Sequence, residues 1–259
     1  MRFPLQGKVV FITGASGGIG AALALECGRR GARVALASRD LKKTKAVARL
    51  LDGARIYLLD VTRASQVKRV ARQAIKDFGR VDVLINNAGV HLFAKVEDLP
   101  ENMLEKALNT NVFGPIRLIQ AFLPGMKKRG SGMIVQISST LAFRAIPNAG
   151  GYAATKGALA RLTESLRVEL MGTGVQVLDA APGVVLTRLR ERAYIQGVKP
   201  APQSKLPFPR SAEATAKEIV GAMEAGRRDI MSAAWPVRFT MKFVNWIAPA
   251  WIDRQFFKN

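Results

Sequence analysis

The sequence predicts an α/β fold, a doubly wound parallel sheet with helices on both faces, and three observations carry that expectation. Short apolar runs alternate with longer segments of helical composition along most of the chain. The runs are continuously apolar rather than alternating, as strands buried on both faces require. No repeat or low-complexity tract interrupts the pattern, and 259 residues suit one α/β domain covering 1–259.

The first strand falls at 9–12, is ended by a glycine-rich turn, and leads into a helix over 21–30 that Gly31 stops. Further strands are expected at 34–37, 56–59, 81–85, 134–138 and 175–180, with helices at 41–51, 64–78, 101–128 and 150–171. Right-handed crossovers place those helices on both faces of the sheet. Beyond residue 180 the pattern loosens. A basic, Pro-bearing stretch follows, of which 187–210 is expected to form a substrate lid, then a helix at 212–225 and a short last strand around Ile230.

Hydrophobic residues make up 49% and charged residues 23%, which excludes a disordered chain. The net charge of +21 raises nucleic-acid or anionic-membrane binding. The excess is spread along the chain, however, and no groove-reading motif accompanies it, so no specific nucleic-acid partner is expected. The runs Lys42-Lys43-Lys45, Lys127-Lys128-Arg129 and Arg188-Arg190-Arg192 read as solvated charge. Cys27 is the only cysteine, so no intramolecular disulfide can form and a reducing, cytoplasmic setting is favoured. Neither a signal region nor a membrane span is expected, and no metal site.

Thr13-Gly14-Ala15-Ser16-Gly17-Gly18-Ile19-Gly20 has the form TGxxxGxG where a strand hands over to a helix. A plain tight turn would also suit such a string, but in this setting glycines let backbone approach a pyrophosphate that the helix N-terminus attracts. Tyr152 and Lys156 lie four residues apart and share a helix face, with an apolar stripe at Leu159, Leu162 and Leu166. A cation beside a phenol favours the phenolate and should draw its pKa down, making Tyr152 a proton donor and acceptor. Alone, that pair is better explained as a core tyrosine beside a surface lysine.

The glycine turn, Asn86-Asn87-Ala88-Gly89, Ser138-Ser139, the Tyr/Lys pair and Pro182-Gly183 occur in this order, each after an expected strand or on the next helix. In this combination the sequence resembles the short-chain dehydrogenase/reductase superfamily, with its Rossmann-type fold, over nearly the whole chain. The resemblance implies a hydride transfer between a nicotinamide and a ketone or secondary alcohol. It places the dinucleotide on Gly14, Ser16, Gly18, Ile19 and Gly20, on Asp60 and Val61 beside the adenine, and on Asn87, Ala88 and Gly89. It also implies that Pro182, Gly183, Val185 and Thr187 meet the nicotinamide. Its catalytic set falls on Asn111, Ser139, Tyr152 and Lys156, with Ser138 the neighbour that could be mistaken for Ser139. Structural support of the sheet is an equal reading for Asn86, Asn87 and Asn111.

After the second strand, where NAD enzymes of this fold place an acidic residue, the chain has Ser38 followed by Arg39, so NADP(H) is favoured over NAD(H). Asp40 would argue the other way if the register slipped. The segment 235–259 mixes aromatic and basic residues, with helical spacing at Phe239, Phe243, Trp246 and Ile247. It could pack on the core, in a homodimer or homotetramer, or against an anionic membrane. The ending Ile252-Asp253-Arg254-Gln255-Phe256-Phe257-Lys258 resembles the tails of membrane-associated family members acting on steroids and lipids, which implies an apolar substrate. The competing reading from another class is a dinucleotide-binding regulatory or scaffold protein without turnover.

Overall fold

A computed structural model describes residues 2–202 and 205–240. Seven strands form one parallel sheet: β1 (Val9–Thr13), β2 (Arg33–Ser38), β3 (Arg55–Leu58), β4 (Val83–Asn86), β6 (Gly132–Ile137), β7 (Val175–Pro182) and β9 (Asp229–Ser232). Their spatial order is β3-β2-β1-β4-β6-β7-β9. The chain therefore winds outward from β1 in one direction, then from β4 in the other. That reversal leaves a crevice at the carboxyl ends of β1 and β4, where ligands bind in open sheets of this kind. The expected last strand at Ile230 is β9.

The two faces follow from side-chain alternation along each strand. Val10 and Ile12 of β1, with Leu36, Ile85, Val135 and Leu178, pack against Leu23 and Cys27 of α1 (Gly18–Arg29) and Ile219 and Met223 of α7 (Ala212–Glu224). Val9 and Phe11, with Ala35, Leu84, Ile134 and Val177, pack against Val67 and Val70 of α3 (Ala64–Phe78) and Leu118 and Phe122 of α5 (Gly114–Arg129). Cys27 is fully buried, and desolvation raises its thiol pKa to about 12, so it is an inert core residue. Between β2 and β3, α2 (Leu41–Ala48) stops three residues short of the expected end.

Two local findings shape the site. The helix expected over 101–128 is divided into α4 (Glu101–Leu108), a π-helical turn at Asn109–Phe113, and α5. A Cβ on Gly114 would stand 2.8 Å from Val61 Cγ2, so glycine lets α5 begin tight against the chain after β3. The widened turn carries Asn111 into the interior, where it is fully buried. The stretch after β7 is also less irregular than its composition implies. β8 (Tyr194–Ile195) pairs in parallel with β5 (Leu92–Phe93), and Val185 bridges to Arg210.

Between them, α6 (Gly150–Glu169) runs from the crevice back along the sheet, and the chain described ends in α8 (Trp235–Phe239). The aromatic helix face proposed at 243, 246 and 247 lies outside the described residues. Among the described residues no helix is long and apolar enough to cross a membrane.

Candidate active site

At the crevice, Gly14 and Gly18 adopt left-handed backbone, φ 66° and 55°, which glycine alone takes without strain. A Cβ on Gly20 would collide with the Gly14 carbonyl and one on Gly14 would lie 2.8 Å from Asn87 Nδ2, so the turn is folded onto the loop after β4. Thr13 and Asn87 lock this contact. Thr13 Oγ1 accepts from the backbone N–H groups of Asn87 and Ala88, each at 3.0 Å, and Asn87 Nδ2 donates to Thr13 O at 2.8 Å. No side chain caps α1, so its first N–H groups face the crevice without a side-chain acceptor. A bare helix N-terminus behind a glycine turn fits a dinucleotide pyrophosphate.

The segment after β7 closes the other wall. Gly183 N donates to Ser232 O at 2.9 Å, Val185 is buried, and the methyl of Thr187 would stand 3.1 Å from a Cβ on Gly18. Ser16 and Ile19 are half-buried at the turn, and Pro182 ends β7. At the β3 end, Asp60 Oδ1 accepts from Thr62 N at 3.0 Å and Thr62 Oγ1 at 2.7 Å. Burial raises the Asp60 pKa, but these bonds and the charges of Arg39 and Arg63 outweigh it and hold the carboxyl below its usual range. Val61 beside it is buried.

Ser38 is buried, with its hydroxyl 2.7 Å from Thr44 Oγ1 and accepting from Asp40 N at 3.0 Å. The Asp40 carboxylate caps α2 by accepting from Lys43 N at 3.0 Å, while Arg39 is exposed on the Asp60 side of the crevice.

Ser139, Tyr152 and Lys156 converge deeper in the crevice. Ser139 follows β6 and lies close enough to Tyr152 on α6 to lower its pKa, while its Oγ accepts from Leu141 N at 3.1 Å. Ser138 is distinct: its hydroxyl donates to Ala180 O at 3.2 Å, on β7. Lys156 Nζ donates to Ile137 O at 2.8 Å and lies 5.8 Å from the centre of the Tyr152 ring. Asn111 faces them from the π turn with a fully engaged side chain. Its Oδ1 accepts from Val90 N, and its Nδ2 donates to Val90 O and Thr155 Oγ1, all at 2.9 Å.

One expectation is reversed. Rather than being drawn down by Lys156, the Tyr152 pKa is raised to about 12, because burial outweighs the lowering by Ser139 and Arg190. Burial also lowers Lys156 to about 8, against the attraction of Asp179. A second correction concerns Arg190, expected in a solvated run. It is half-buried, with its guanidinium 5.0 Å from the centre of the Phe93 ring. The runs around Lys42 and Lys127 are exposed as expected.

Sequence reasoning missed the aromatic wall. The chain's single histidine, His91, stacks on Tyr152 at 4.0 Å and on Phe93 at 4.1 Å. Its place directly after Asn87-Ala88-Gly89-Val90 was the only available signal.

A family model described as short chain dehydrogenase matches residues 8–196. The chain belongs to the short-chain dehydrogenase family. This dehydrogenase is 34% identical over 185 residues to an uncharacterized oxidoreductase of Staphylococcus epidermidis, covering 71% of the chain and 80% of the relative. It is 36% identical over 180 residues to one from Thermotoga maritima, covering 69% and 72%. Among solved structures, it resembles a short-chain dehydrogenase from Streptomyces avermitilis with a TM-score of 0.85 at 31% identity, covering 96% of both chains. It also resembles a 3-ketoacyl-(acyl-carrier-protein) reductase from Brucella melitensis complexed with NADH, with a TM-score of 0.81 at 26% identity over 90% of this chain and 99% of that one. An alcohol dehydrogenase from Thermococcus sibiricus complexed with 5-hydroxy-NADP gives 0.78 at 28% identity, over 89% and 97%. As a family member, the short-chain dehydrogenase described here is an NAD(P)-dependent oxidoreductase acting on CH–OH groups.

Proposed function

We propose that this enzyme uses NADP(H) to interconvert an apolar ketone and its secondary alcohol, with Tyr152 as the acid/base. The observation that carries the reading is the Lys156 ammonium held 5.8 Å from the centre of the Tyr152 ring and tied at 2.8 Å to Ile137 O, two residues before Ser139. The nicotinamide, when bound, supplies or receives the hydride. Ser139 donates to the substrate oxygen and orients it. Tyr152, protonated at neutral pH because burial favours the neutral phenol, gives its proton to that oxygen during reduction and recovers it afterwards. Lys156, with its pKa brought near 8, stabilises the phenolate and is poised to return the proton. Asn111 acts through position, fixing Val90 and Thr155 so that the loop after β4 and α6 keep their spacing.

Four features support the finer points. Asp40 is committed to capping α2 and Arg39 is exposed beside the ribose end of the crevice, which suits a 2′-phosphate. Apolar side chains of Val90, Leu92, Leu141 and Tyr194 gather around Tyr152, which suits an apolar substrate under a lid at 187–210. Leu162 and Val168 on α6 are 43% and 64% exposed, which suits burial in a homodimer or homotetramer. Trp235, 72% exposed beside Arg238, suits contact with an anionic membrane, to be read as salt-sensitive sedimentation with anionic liposomes.

The deciding experiment is NADPH oxidation against ketones, aldehydes and steroids with Tyr152→Phe as the blank. Turnover should fall at least ~100-fold while NADPH affinity and fold are kept. Retention of near-full rate removes Tyr152 from the chemistry, and NADPH binding without turnover of any carbonyl favours the regulatory reading.

A further inference from the structure

Four planar groups from three parts of the chain stand in succession at the reacting end of the crevice. The Tyr152 ring carries the His91 imidazole, tilted 14° from parallel at 4.0 Å, and His91 carries the Phe93 ring at 4.1 Å and 17°. The Arg190 guanidinium then lies 5.0 Å from the Phe93 centre. His91 and Phe93 follow β4, whereas Arg190 follows β7, so a tertiary link must hold them in register. The β5–β8 pairing provides it: Tyr194 N donates to His91 O and Gln196 N to Phe93 O, both at 2.9 Å. Arg190 is thereby placed by a backbone ladder that begins four residues downstream.

The cation at this place lacks a counter-ion. Arg190 Nη1 donates to Ala201 O at 2.8 Å, and among the described residues no carboxylate pairs with the guanidinium. Its neighbour Glu191 lies 4.0 Å from Arg188 instead. A guanidinium has five N–H donors and keeps its proton, so removing it from water without an anion is costly. The adjacent rings offer faces but no negative charge. The Arg190 charge nevertheless reaches the reacting group, since it lowers the Tyr152 pKa and that of His91.

We infer that Arg190 is a specificity-determining residue that pairs with a carboxylate on the substrate, so that the enzyme acts on keto acids or hydroxy acids with an apolar body. This rests on the oxidoreductase reading above and narrows its substrate class. The apolar side chains around Tyr152 receive the body of such a molecule, and the planar guanidinium receives its carboxylate in two parallel hydrogen bonds. His91 cannot serve in its place, because a buried neutral imidazole carries no charge to offer.

The test uses the NADPH-saturated protein at pH 7 and two compounds without a reducible carbonyl, hexanoate and hexanamide, titrated by calorimetry. Hexanoate is expected to bind at least ~10-fold more tightly than hexanamide, the scale of one charge-assisted contact. Arg190→Ala should erase that difference, Arg190→Lys should keep part of it, and the NADPH affinity of both variants should stay within about two-fold of wild type. Equal binding of acid and amide, or a difference that survives Arg190→Ala, overturns the inference. So does a loss in Arg190→Ala that falls on NADPH affinity, which would assign the cation to a cofactor phosphate. Failure of the wild type to bind NADPH is a separate result and defeats the parent reading.

Discussion

The imidazole of His91 lies flat on the phenol ring of Tyr152, with centroids 4.0 Å apart and planes within 14°. The stack, rather than a hydrogen bond from Nδ1, supports the proposed acid/base, because His91 is buried and its Nδ1 has no hydrogen-bond partner. His91→Phe should therefore preserve the stack and keep kcat within about three-fold, whereas His91→Ala should lose ~10-fold or more through a looser Tyr152.

The same residue makes a pH signature. Burial, followed by the charge of Arg190, lowers its pKa from 6.5 to about 3, so the imidazole is neutral in the folded protein. The unfolded chain binds a proton below 6.5 that the folded protein refuses until about 3, so stability falls as pH drops through that window. By pH 5 the loss is about 2 kcal/mol. Melting curves of wild type and His91→Phe should diverge between pH 7 and 5, with the variant flatter; parallel curves would contradict the burial argument.

Lys156 should show function opposed to stability. Its ammonium is desolvated, and its pKa falls from 10.5 to about 8. Below 8 the folded state carries the full cost of a buried charge, and that cost fades as pH rises from 8 towards 10.5, where the unfolded chain also deprotonates. Lys156→Met is thus expected to stabilise the cofactor-free protein at pH 7 by about 2 kcal/mol while lowering turnover at least ~100-fold. Denaturant titrations at pH 7 and 10 check this, since the gain should shrink at the higher pH.

Gly20 offers a case where local preference and tertiary contact disagree. Alanine is favoured over glycine inside a helix by about 1 kcal/mol. At this position, however, its methyl would meet the Gly14 carbonyl and the Asn87 amide. Gly20→Ala should lower stability by about 1–3 kcal/mol and weaken NADPH binding. Thermal melting with and without NADPH separates the two effects.

For the cofactor, Arg39→Ala should weaken NADPH binding ~10-fold or more while leaving NADH within about two-fold, because only the 2′-phosphate uses the guanidinium. Parallel fluorescence titrations decide it, and equal losses for both cofactors would remove Arg39 from phosphate recognition.

Much of the architecture was legible because buried parallel strands must be continuously apolar and because glycine punctuates the turns between elements. The strand at Ile230 and the helices over 64–78 and 150–171 follow from those signals. The break at 109–113 was not legible, since Asn109-Thr110-Asn111-Val112-Phe113 carries no breaker of its own, and the close approach of Gly114 to Val61 that follows it is a tertiary contact. Likewise Arg190 reads as one of three alternating arginines until the β5–β8 ladder turns it onto Phe93.

By itself the sequence determined which residues are proposed to bear the chemistry: a phenol and an ammonium one helical turn apart, a serine after a strand, and a glycine turn before a helix. Those are local patterns, set by spacing along the chain. Only the tertiary structure decided their electrostatic state, because burial comes from distant segments closing over a site. That closure makes the Tyr152 phenol a weaker acid rather than a stronger one, brings Lys156 near neutrality, and stands His91 and Arg190 beside them.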